Sequence, residues 1–295
     1  MFSPARLCLL LLIAVPVVSP LAHGSSAPAE NDANANASAR DANPCLKRAT
    51  ARRLRCPDFK MSPPENLFLS RTRNGRLRLH GGNSLNSVGD GPAELRGRRD
   101  TRWTMTAKQV IYRKDGSKLR LNTGARLGFK AIPGQYRYWK FIHAAKFELW
   151  KLDRRGRRKK LVEVGPKVSY CLRDLQRRHP GLPRSPSSFH YPACSQEFGR
   201  RRVTLGTSVG WSDVYPSTYH EQWINVTGLR GCFSFVHVAD PKNGIYESNE
   251  NNNEGERVVR LPYKGPGLRG CPGESRRGGP DGGAEAPGSN GPYGY

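Results

Sequence analysis

Acidic residues are scarce in this sequence: 24 Asp and Glu stand against 49 Lys and Arg, a formal charge of +25. Several signatures of enzyme classes are missing altogether. There is no Gly-x-Ser-x-Gly elbow, no His-Glu-x-x-His, no phosphate loop and no Gly-rich dinucleotide fingerprint, which removes the commonest hydrolase, zinc-protease, nucleotide and Rossmann chemistries. No Cys-x-x-Cys spacing occurs, so a structural zinc site is not expected. Zinc-finger spacing, RNP-like aromatic pairs and helix-turn-helix patterning are also absent. No apolar run reaches the ~20 residues that a helix needs to span a bilayer, no long amphipathic helix is legible, and no internal repeat is found.

What is present points to export. Arg6 precedes an apolar core from Leu7 to Val18, and Ala22-His23-Gly24 offers a small-residue cleavage site, so residues 1–24 read as a signal peptide without a transmembrane anchor. The stretch 25–44 is dominated by small and polar residues and reads as a disordered leader, and the Gly/Pro-rich stretch 264–295 reads as a disordered tail. Residues 45–263 remain as one domain, long enough for a substantial core. With Cys8 in the signal, six cysteines are left, which in an oxidising compartment suits three disulfides. Counting does not fix their connectivity. Cys45–Cys56, Cys171–Cys194 and Cys232–Cys271 close short or moderate loops and are the expected pairs.

Short strands with turn punctuation dominate the domain. Leu67–Arg71 and Arg76–His80 flank Asn74-Gly75, a hairpin signal. Thr104–Tyr112, Lys146–Leu152, Val162–Leu172, Gln222–Thr227, Cys232–Ala239 and Arg257–Leu261 also read as strands. The fold class is therefore all-β, a disulfide-stabilised β-sandwich with long loops. Basic runs (Lys118-Leu119-Arg120, Arg154 to Lys160, Arg200 to Arg202, and Arg96, Arg98 and Arg99) are either solvated turns or a means of attracting an anionic extracellular polymer: wall polymer, glycan or DNA. Asn36-Ala37-Ser38 and Asn225-Val226-Thr227 fit the N-glycosylation pattern.

A family resemblance rests on motifs in order along the chain. Cys56-Pro57-Asp58-Phe59 and Asn86-Ser87-Val88-Gly89-Asp90-Gly91-Pro92-Ala93-Glu94-Leu95 come first, then Leu205 to Tyr215, Glu221 to Leu229, Val236 to Gly244 and Glu247 to Asn253. Together, over about residues 56–262, these stretches resemble the lysyl oxidase catalytic domain in its microbial form. The resemblance implies oxidation of peptidyl lysine to an aldehyde, using copper and a lysine tyrosylquinone built from the protein's own Lys and Tyr. The precursors then fall on Lys167, in Gly165-Pro166-Lys167-Val168-Ser169-Tyr170-Cys171-Leu172, and on Tyr215.

The family's copper histidines alternate along a strand, so that successive ligands share a face. Here Tyr136, Tyr138 and Lys140 occupy those positions. An ammonium has no lone pair for a metal and a neutral phenol is a poor ligand, whereas imidazole suits copper. The expectation is a catalytically inactive relative that serves as a basic secreted binding module. The alternative is an active copper- and quinone-dependent amine oxidase, with a substitute site assembled from the scattered His80, His179, His190, His220 and His237. The resemblance also implies a structural calcium held by Asp58, the Phe59 carbonyl, Glu247, Asn249, Asn252 and Asn253.

Overall fold

The computed structural model describes residues 42–265 and 270–272. The expected signal peptide, Asn36 and nearly all of the leader and tail lie outside the described residues. The described part is almost wholly β, with one single-turn helix, α1 (Arg48–Ala51). Among the described residues no helix is long and apolar enough to cross a membrane.

Seventeen strands form three antiparallel sheets. The largest takes the order β12 (Ser169–Tyr170), β9 (Arg137–Ile142), β8 (Arg126–Ala131), β6 (Thr104–Arg113), β5 (Ala93–Arg99), β13 (Arg202–Thr207). Two short strands, β1 (Leu54–Arg55) and β7 (Lys118–Leu121), also pair with β6. A four-stranded sheet runs β11 (Arg158–Val164), β10 (Ala145–Leu152), β16 (Gly231–Ala239), β17 (Glu254–Leu261). The third is organised by the eleven-residue β4 (Leu77–Ser87), which pairs with β14 (Ser212–Tyr215), β15 (Trp223–Asn225), β2 (Phe59–Met61) and β3 (Glu65–Arg71). One continuous core joins the sheets, with Trp139, Tyr170, Phe59, Phe141, Phe147, Phe233 and Phe235 among its largest buried side chains.

The Asn74-Gly75 turn is found as expected: the Gly75 N–H donates to Thr72 O, and Gly75 sits at φ +80°. Two glycines of the Asn86–Leu95 motif have a packing reason. A Cβ on Gly89 would strike the Asp58 backbone, and one on Gly91 would strike Arg55. The expected strand Val162–Leu172 is in fact two, β11 and β12, because Pro166 has no N–H for a ladder. Gly165 at the break sits so near the Trp223 carbonyl that a Cβ would lie 2.9 Å from its oxygen. That interruption is what turns Lys167 inward.

Disulfides join Cys45 to Cys56, Cys171 to Cys194 and Cys232 to Cys271. Asn43, which composition groups with the leader, is fully buried and donates from its amide to Glu247 O at 3.0 Å and Glu250 Oε1 at 2.7 Å.

Candidate active site

Lys167 and Tyr215 come from different elements and meet in the core. Lys167 lies in the break between β11 and β12 and is 1 % exposed. Its Nζ stands 4.6 Å from the ring centre of Tyr215, 4.9 Å from that of Tyr219 and 5.2 Å from that of Tyr170, and donates to His220 O at 3.2 Å. Tyr170 and Tyr215 stack at 4.3 Å, with Tyr219 edge-on to Tyr215 at 5.3 Å. Tyr219 and the buried Tyr170 were not anticipated from the sequence, although Tyr170 lies three residues after Lys167.

Tyr215 is anchored by polar contacts on strand β14. Its hydroxyl donates to Asp213 Oδ2 at 2.9 Å and accepts the Cys171 N–H at 2.8 Å, and the Leu172 N–H also reaches Asp213 at 3.1 Å. Asp213 and Tyr215 are two apart on one strand and so share a face. Behind them, Asn83 donates to the Tyr170 hydroxyl and contacts His237 Nδ1 at 3.2 Å, while the His237 ring stacks on Phe147 at 3.6 Å.

The alternating positions on and before β9 diverge. Tyr136 precedes the strand and is 61 % exposed; Tyr138 and Lys140 share one face of β9 and are buried, as are Trp139 and Phe141 on the other. Lys140 Nζ lies 5.5 Å from the Tyr219 ring centre and 5.9 Å from that of Tyr138. Among the described residues it has no hydrogen-bond partner. Two phenols and an amine do not make a copper donor set. Of the scattered histidines, His80 stacks on Phe68, and His143, His179 and His190 are exposed, while His220 and His237 both lie within electrostatic reach of Lys167; among the described residues no three of His, Cys, Asp and Glu gather to hold a metal.

Burial controls the electrostatics. It lowers the Lys140 amine to about 8 against the pull of Asp213 and Glu221. It drives Lys167 well below the ordinary lysine range, helped by the like charge of Lys140. It lifts the Asp213 carboxyl to about 6 and the Tyr215 phenol well upward, the latter aided by Asp213. Burial also lowers His237 and His220. Between β9, β14 and the Cys171–Cys194 disulfide lies a cavity of about 50 Å³, lined by Tyr138, Lys140, Arg173, Asp213, Tyr215 and Tyr219. Tyr219 also lines an outer cleft of about 390 Å³ with Ile132, Gln135 and His220.

A second buried polar cluster joins β2 to the loop between β16 and β17. Asp58 accepts the Asn252 amide at 2.7 Å and the Ser248 hydroxyl at 3.1 Å. Glu247, wholly buried, accepts the Phe59 N–H on one oxygen and the Asn253 amide at 2.9 Å on the other. The Asn252 and Asn253 side-chain carbonyls are buried, with no hydrogen-bond partner among the described residues. Asn249 instead is exposed and uses its oxygen for the Asn251 N–H at 3.0 Å. Burial raises Asp240 to about 7 and Glu247 well above the carboxylate range, with Asp240 and Glu250 adding to the latter. Two carboxylates and two orphaned amide oxygens fit a hard cation such as calcium.

No curated protein matches the chain. Residues 135–267 match the family model described as lysyl oxidase.

Proposed function

From the match of residues 135–267 to the lysyl oxidase family model, we propose that this protein is a secreted relative of that family that has lost copper-dependent amine oxidation and acts as a basic extracellular binding module. The observation that carries this reading is Lys140. The third of the family's alternating copper positions holds a buried amine that lies against tyrosine rings. Lys167 and Tyr215 keep the family's precursor pair in contact and, without copper, stay as ordinary side chains. If a quinone were present it would supply the electron sink for amine oxidation. Lys167 and Tyr215 would be its source, and Asp213 would hold the Tyr215 oxygen.

Asp58, Glu247, Asn252 and Asn253 hold a structural calcium in this reading, tying β2 to the β16–β17 loop, with Asn249 outside the ligand set. Three disulfides support residence in an oxidising compartment. The binding surface is the basic one. Arg154, Arg155 and Arg157 tip the hairpin between β10 and β11, followed by exposed Lys159 and Lys160, although Arg157 pairs with Asp153, and Arg158 with Glu254 and Glu256. The partner is an anionic polymer of the wall, glycan or DNA type. Salt-sensitive binding to such polymers with no peroxide released from a lysine peptide is the expected result. Peroxide release blocked by an amine-oxidase inhibitor would favour the active oxidase instead.

A further inference from the structure

The cavity beside Lys140 has a use that the loss of oxidation does not explain. We propose that Lys140 captures small aldehydes, forming an imine within the cavity it shares with Asp213, Tyr138 and Tyr219. Three observations converge on it. The amine is buried yet has no hydrogen-bond partner among the described residues, so no contact sequesters its lone pair. It lines a cavity of about 50 Å³, on the scale of a two- or three-carbon ligand. A carboxyl, Asp213, lines the same space.

The chemistry balances without any redox partner. The neutral amine adds to the carbonyl carbon to give a carbinolamine. Its hydroxyl then takes a proton and leaves as water, and the C=N bond forms as nitrogen loses its remaining proton. A desolvated lysine next to another amine is the recognised way to make this nucleophile at neutral pH. With its pKa lowered to about 8, Lys140 is roughly one-tenth free base at pH 7. Asp213, lifted to about 6, is close enough to neutrality to carry the proton for dehydration. The aromatic rings of Tyr138, Tyr215 and Tyr219 line the space the imine would occupy.

The test uses full-length protein at about pH 7 with propanal and cyanoborohydride, followed by peptide mapping. A reduced propyl adduct is expected on Lys140 at least about tenfold faster than on exposed Lys159 and Lys160. Benzaldehyde, too large for the cavity, is expected to lose that preference while still labelling the surface. Equal labelling of Lys140 and surface lysines, or a preference for Lys167, overturns the proposal. So does a Lys140 adduct that is indifferent to aldehyde size. Because the comparison is made within the wild-type chain, it stands even if Lys140→Arg does not fold. It is also separate from metal content, since loss of the copper-free reading would appear in metal analysis and not in the size dependence.

Discussion

The two buried polar clusters set like charges together in opposite ways. Near β9 and β14, Lys140 and Lys167 lie in one neighbourhood and each depresses its own charge: burial lowers both amines, and three tyrosine rings surround Lys167. Near β2, Asp240 and Glu247 are equally buried, and burial raises both carboxyls. The amines can solve the problem by shedding protons. Asp240 is held by the Gly244 and Ile245 N–H groups, whereas Glu247 has another solution, because Asn253, which donates to it, and Asn252, which donates to Asp58, leave amide oxygens unsatisfied, an arrangement that rewards a cation. The same physical cost thus leads to a nucleophile in one place and a candidate metal site in the other.

The largest effect expected from this contrast is a pH dependence of the calcium-free protein. Asp240 has a folded pKa of about 7, raised above its unfolded value of 3.8, and Glu247 is raised in the same direction. Stability contributed by such groups is full below the unfolded pKa and lost as pH rises through the folded one. Chelated protein should therefore lose roughly 3 kcal/mol or slightly more between pH 4 and 7 from Asp240 alone, read by urea unfolding. A flat profile would show that this cluster is not buried as described.

The amine cluster gives the mirror-image effect, slightly smaller. Lys140 is depressed from 10.5 to about 8, so its contribution is present above 10.5 and lost as pH falls toward 8. At pH 7 the wild type bears the full cost, and Lys140→Met should be more stable by up to about 3 kcal/mol, with the gain vanishing above pH 10. A loss of stability at pH 7 would mean that the amine is satisfied by a partner.

Calcium sharpens the contrast at a third level. At a hundredfold excess over its Kd it should add about 2.7 kcal/mol to wild type, and Glu247→Gln should abolish the increment. Asn249→Ala should leave it intact, since Asn249 spends its oxygen on a local turn. The smallest effect concerns the surface. Charge reversal at Lys159 and Lys160 should lower the salt at which the protein elutes from an anionic polymer, leaving thermal stability nearly unchanged.

Much of this was legible in the sequence where hydrophobic alternation is strong. Strands β3, β6, β10 and β16 follow apolar patterning, and the pairing of Lys167 with Tyr215 is implied by the family resemblance alone, with the two side chains found 4.6 Å apart. Arg-rich strands do not show the apolar alternation: β5 and β13 carry Arg96, Arg98, Arg99 and Arg202 alongside their buried residues. In sequence, strand β9 shows only that the family's ligands are missing; the buried amine lining a cavity emerges from the fold. Cavities arise from the distance between elements, and no local pattern encodes them. Asn43 was missed for the same reason, because its partners lie about two hundred residues away at Glu247 and Glu250.

We propose that a lysyl oxidase-like fold persists here without copper chemistry. Metal analysis of the folded, full-length protein, prepared with both copper and calcium available, tests it most directly, with peptide mapping of Lys167 and Tyr215 on the same sample. The account predicts stoichiometric calcium, no tightly held copper, and Lys167 and Tyr215 recovered in separate, unmodified peptides. Stoichiometric copper together with a cross-linked Lys167–Tyr215 peptide would contradict it.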